Sequence, residues 1–138
     1  RSATRCIRIL SPNLDPAVFN TDDLTNAVSA LARDTRQTEV RILVSDTRMA
    51  FRSGHRLLAL ARRLPSSVPL RSLQEHPDWN GETVVIRDHD GLLYRHGKDH
   101  SGGFYEPDSR VATQRHLEFF DVLWRLSAED PELRSMRL

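Results

Sequence analysis

Apolar side chains along this chain recur with two periods that alternate from segment to segment. Cys6-Ile7-Arg8-Ile9-Leu10 is a short β-prone run that stops at the turn signal Ser11-Pro12-Asn13. Leu24, Ala27, Val28, Leu31 and Ala32 then recur at helical spacing, with Asn20, Thr21 or Asp22 as N-cap, which predicts an amphipathic helix over 22–34. Val40-Arg41-Ile42-Leu43-Val44, ending at Ser45-Asp46, suits a strand covered on both faces of a parallel sheet. Strand, helix and strand together predict a crossover unit.

Beyond Gly54, Leu57, Leu58, Ala61 and Leu64 share one face and Pro65 follows as a stop, so a second helix is predicted over 55–64. A third strand is predicted over 69–73. The runs 83–86 and 92–95 flank Asp88-His89-Asp90-Gly91, where Asp-Gly favours a tight turn, which predicts a β-hairpin. Residues 98–108 are polar and glycine-bearing and are predicted as a loop. Leu117, Phe120, Val122, Leu123, Trp124 and Leu126 fall largely on one side of a helix over about 111–127. The order β-α-β-α-β-β-β-α predicts an α/β fold, a mixed sheet flanked by helices.

At 138 residues the chain fits one domain, 1–138. Arg1 in place of methionine suggests a piece excised from something longer. Cys6 is the only cysteine, so neither an internal disulfide nor a thiolate metal cluster can form, and a cytoplasmic setting is the simpler expectation. No apolar run reaches membrane-spanning length. Charge is uneven. Residues 1–72 hold 12 arginines against 6 acidic side chains, and 73–138 hold 8 basic against 13 acidic ones. Lys98 is the only lysine, and arginine's planar fork suits phosphate or carboxylate, although compositional bias explains the same preference.

The late hairpin followed by Phe119-Phe120-Asp121-Val122-Leu123-Trp124 resembles one repeat of the phospholipase D superfamily. Ser11-Pro12-Asn13-Leu14-Asp15, the segment 40–46, Gly54-His55-Arg56-Leu57-Leu58 and Asp130-Pro131-Glu132-Leu133-Arg134 more specifically resemble a bacterial domain of unknown function, in some proteins beside a GNAT-type acetyltransferase. The superfamily's catalytic signature is a histidine, any residue, a lysine, four residues and an aspartate. If 84–88 is the strand ending at that aspartate, the histidine position falls on Gly81 and the lysine position on Thr83. An imidazole nucleophile and a phosphate-holding ammonium are then both lost. His96-Gly97-Lys98 has the first spacing but sets Gly103 where the aspartate belongs, a chance match. The resemblance implies a homodimer, because the superfamily's enzymes assemble one site from two repeats.

Ligands of open α/β sheets collect at the carboxyl ends of strands. That edge draws Asn13, Ser45, Asp46, Arg48, His55 and Arg56 as candidate ligand-binding residues, with His55 and Asp46 the candidates for any catalysis. The bland alternative has His55 capping its helix and Asp46 paired with an arginine. Asp88, His89, Asp90, His96, Asp99 and His100 could bind a divalent ion, but their irregular spacing fits a solvated hairpin better, and no metal or cofactor is expected. Arg48, Arg52, Arg56, Arg62 and Arg63 could form a basic face, yet a pI near 8.2 and few interleaved aromatics disfavour nucleic acid. Trp79 follows Pro77-Asp78 in a loop, where exposure would mark a contact surface, while Trp124 belongs to the core. The expectation is a non-catalytic accessory or anion-sensing module that self-associates. The alternatives are a phosphodiesterase or other hydrolase using His55, Arg56 and Asp46, and a docking domain for an acetyltransferase.

Overall fold

In a computed structural model the described residues are 6–12, 25, 26, 28–30, 39–45, 56–73, 76–79, 81–87, 91–95 and 110–129. The β-branched runs form β1 (Cys6–Ser11), β2 (Glu39–Val44), β3 (Leu70–Ser72), β4 (Thr83–Arg87) and β5 (Gly91–Arg95). A sixth strand, β6 (Ala128–Glu129), completes one sheet of order β5-β4-β1-β2-β3-β6. The first three strands run parallel, with Ser11 opposite Val44 and Val44 opposite Ser72, so their carboxyl ends are level. β4 is antiparallel to β1, with Leu10 opposite Val84, and β5 is antiparallel to β4. The carboxyl ends of β1–β3 therefore share one edge of the sheet with the amino end of β4.

Alternation along the strands splits the core between two faces. Ile7, Ile9, Val40, Ile42 and Val44 pack with Val28 and with Leu57, Leu58, Leu60 and Ala61 of helix α1 (Arg56–Arg63). Residues 25, 26 and 28–30 are helical, as predicted for part of 22–34, and Val28 is fully buried. Leu10, Leu43, Val84, Ile86 and Leu92 point the other way, against Leu117, Phe120, Leu123 and Trp124 of helix α2 (Arg110–Leu126). Val122 and Leu126, predicted on the buried side of this helix, instead face outward, at 39% and 62% exposed.

Polar side chains between sheet and α2 are tied in. Arg8 is buried, and its guanidinium donates to Glu39 Oε1 (2.9 Å), Asp121 Oδ1 (3.4 Å) and Cys6 Sγ. Arg41 and Arg71 lie over the Trp124 ring with guanidinium carbons 5.3 and 4.4 Å from its centroid, a cation–π arrangement. Arg71 Nη1 also donates to the Trp124 carbonyl (3.0 Å), as does the Ser127 hydroxyl (2.6 Å), so the last turn of α2 is capped by side chains. This capping brings Ala128 and Glu129 beside Ser72 and Arg71 and creates β6.

Candidate functional site

At the shared edge the chain turns through His76-Pro77-Asp78-Trp79, with the Trp79 amide donating to the His76 carbonyl (3.1 Å) and the Asp78 amide to His76 Nδ1 (3.1 Å). The Trp79 indole N–H donates to the Glu82 carbonyl (2.9 Å), which folds the ring inward until only 8% of the residue is exposed. The exposed contact surface considered for Trp79 is thus corrected: one hydrogen bond removes the reason for the indole to stay in water. Gly81 follows with φ of 84°, a left-handed conformation that disfavours any residue bearing a Cβ. Thr83, the first residue of β4, is fully buried, and its Oγ1 has no hydrogen-bond partner among the described residues.

Between this segment and α2 lies a cleft of about 360 Å³, walled by Leu10, Trp79, Val84, Tyr94 and Phe119. Asp78, Glu82, Arg115 and His116 supply its polar groups. The Tyr94 and His116 rings are 5.1 Å apart and tilted, and Phe119 meets His76 edge to face at 6.0 Å. Burial pulls the His116 pKa below its ordinary value, and the Arg115 charge adds to this while Glu82 opposes it. His116 is therefore a neutral imidazole near pH 7. Two carboxylates against one guanidinium leave the cleft mildly acidic, with mostly aromatic and apolar walls.

Of the ligand-binding residues expected from sequence, Asn13, Asp46, Arg48 and His55 lie outside the described residues. So do the histidines and aspartates of the suspected metal cluster; among the described residues no group of three His, Cys, Asp or Glu could hold a metal. Ser45 is exposed, and both its amide and its hydroxyl donate to the Pro12 carbonyl (3.2 Å each), which ties the end of β2 to the end of β1. Arg56 is the exposed first residue of α1. The cleft residues Tyr94, Arg115, His116 and Phe119 were not among the candidate site residues drawn from the sequence, although Phe119 belongs to the motif that carries the superfamily resemblance. A histidine one turn from Phe119 and Phe120 on a predicted helix was the signal that could have drawn attention to them.

The family described as a domain of unknown function, DUF7931, matches residues 1–136. The chain belongs to the DUF7931 family. No curated protein matches the sequence. The DUF7931 fold is similar to that of Nuc from Salmonella typhimurium, a phospholipase D family member, with a TM-score of 0.59 and 17% identity over 94% of this chain and 84% of that one. It is also similar to TrmBL2, an archaeal chromatin protein whose structure shows a novel mode of DNA binding, with a TM-score of 0.61 and 16% identity over 94% of this chain. The DUF7931 chain spans 46% of TrmBL2. At these identities the likeness is one of fold, the mixed α/β sheet expected from the order of elements. It also corrects the expectation that disfavoured nucleic acid, since the fold occurs in a DNA-binding protein. That expectation rested on whole-chain pI, which averages an arginine-rich first half with an acidic second half, whereas a binding face is a local property. Among the described residues no helix is long and apolar enough to cross a membrane.

Proposed function

We propose that the DUF7931 chain is a non-catalytic ligand-recognition module on a phospholipase D-like scaffold, with its ligand held in the aromatic cleft. One observation carries this reading. The positions assigned to the catalytic histidine and lysine are Gly81, buried and in a left-handed conformation that penalises a Cβ, and Thr83, sealed in the core, while open space persists beside them. The phospholipase D type of phosphodiester chemistry needs both groups. A pocket of this size with apolar walls and a few convergent polar groups is suited to a small molecule.

The wall chemistry narrows the ligand. Trp79, Tyr94, His116 and Phe119 favour a flat ring system. Asp78 and Glu82 outnumber Arg115, and His116 is uncharged, so a cationic or neutral substituent fits better than the free anion expected from the sequence. The test is thermal unfolding in the presence of tryptamine, indole-3-acetate, inorganic phosphate and a duplex oligonucleotide, alongside hydrolysis of bis(p-nitrophenyl) phosphate. A ligand at ten times its Kd stabilises by about 1.4 kcal/mol, roughly 3–6 °C for a chain of this length. The expected result is a rise with tryptamine, smaller with indole-3-acetate and lost in Phe119→Ala, with no hydrolysis. A rise only with phosphate or the duplex, no rise with any compound, or hydrolysis that Phe119→Ala or His116→Ala removes, overturns the reading.

A further inference from the structure

Helix α2 buries one face and presents the opposite one to solvent. Its outermost stripe is Val111, Arg115, Glu118 and Val122, all exposed, at spacings of four, three and four residues. Four large hydrophobic side chains are exposed among the described residues, and three of them, Val111, Val122 and Leu126, are on this helix. Val111 is 68% exposed beside a shallow groove of about 610 Å³ lined by Arg110, Val111, Gln114, Arg115 and Glu118. An apolar position at each end of a helical face, with opposite charges between, needs a partner that repeats the pattern in reverse.

The stripe is its own reverse. A two-fold axis through the helix midway between His116 and Leu117 exchanges Val111 with Val122 and Arg115 with Glu118. We infer that α2 pairs antiparallel with α2 of a second copy, each Val111 against Val122 of the other chain and each Arg115 against Glu118 of the other chain. Such self-matching is what a two-fold homodimer requires. The two valines lie about 16 Å apart along the axis, and helices pack at about 8–10 Å, within reach of both ion pairs. Within one chain Gln114 Nε2 donates to Glu118 Oε2 (3.1 Å), which leaves the other carboxylate oxygen for an incoming guanidinium. One helix face from each copy makes a small interface, so the association is weak and concentration-dependent. This inference does not rest on the cleft or its ligand.

The test is sedimentation equilibrium of the unliganded chain from micromolar to millimolar concentration. Wild type is expected to dimerise reversibly. Arg115→Glu and Glu118→Lys each turn both ion pairs repulsive and should weaken the dimer about tenfold. Mixed in equal amounts the two variants regain both attractive pairs as a heterodimer, with close to wild-type affinity. Val122→Asp should remove the dimer. All these positions are exposed, and matching circular dichroism and melting curves establish that each variant is folded. A wild type monomeric throughout, a dimer indifferent to the single reversals, or a mixture no tighter than its components overturns the inference.

Discussion

Gly81→Ala tests how the edge beside the cleft is built. The φ of 84° places residue 81 in the left-handed region, where a Cβ costs about 1–2 kcal/mol. Opposing this, alanine restricts the unfolded chain more than glycine and returns about 0.4–1 kcal/mol. Gly81 is also buried, so the added methyl has little free room. The net loss is about 1 kcal/mol, which at a urea slope of about 1–3 kcal/mol/M lowers the denaturation midpoint by roughly 0.3–1 M. Asparagine tolerates the left-handed region better than alanine, but its larger side chain has still less room at this buried position, so Gly81→Asn should lose at least as much. Gly81→His should lose at least as much as alanine. The double variant Gly81→His/Thr83→Lys, which restores the two residue types to the signature positions, should be less stable still and hydrolyse bis(p-nitrophenyl) phosphate no faster than wild type. Equilibrium urea unfolding at 25 °C followed by circular dichroism gives the midpoints. A Gly81→Ala midpoint equal to or above wild type refutes the backbone reasoning, and hydrolysis by the double variant refutes the view that the scaffold has lost more than two side chains.

Three further outcomes follow from neighbouring features. Thr83→Val removes a buried hydroxyl that has no partner among the described residues, and should raise stability by about 1 kcal/mol in the same urea assay. Arg8→Met keeps the packing but strips Asp121 of its cation and leaves Glu39 with Arg41 alone; because both carboxylates are partly exposed and rehydrate, the loss should be about 1 kcal/mol, short of a fully buried pair. The folded-state pKa of His116 lies below its unfolded value, so the folded state binds its proton less readily. Its contribution is complete above about pH 6.5 and is lost as pH falls toward the folded pKa, so His116→Gln should flatten the drop in stability between about pH 7 and pH 5.

Most elements were legible because their cause is local. The alternation in 6–10 and 40–44 and the spacing of Leu57, Leu58 and Ala61 survive in the fold with ends shifted by a residue or so. What escaped depended on partners distant in sequence. Ala128 and Glu129 have little intrinsic strand character, and they form β6 because Arg71 and Ser127 cap the helix before them and set them beside β3. The outward turn of Val122 and Leu126 is set by the line along which α2 meets the sheet, which the spacing of six apolar residues does not fix. The cleft draws on β1, on Asp78, Trp79 and Glu82, and on β4, β5 and α2, so its members are far apart in the chain. Trp79 was noticed, but the bond that turns its ring inward is made to a main-chain carbonyl, a group every residue carries.

The two tryptophans serve two different parts of α2, and this gives the protein a pair of built-in optical reporters. Trp79 borders the cleft beneath the middle of the helix, while Trp124 stacks on Phe120 at the far end, under the guanidinium groups of Arg41 and Arg71. A molecule entering the cleft changes the surroundings of the first indole and leaves those of the second as they were. Unfolding strips both of their environments. With Trp79→Phe and Trp124→Phe prepared separately, emission from each remaining indole tells occupancy of the cleft apart from loosening of the helix, without attaching any label.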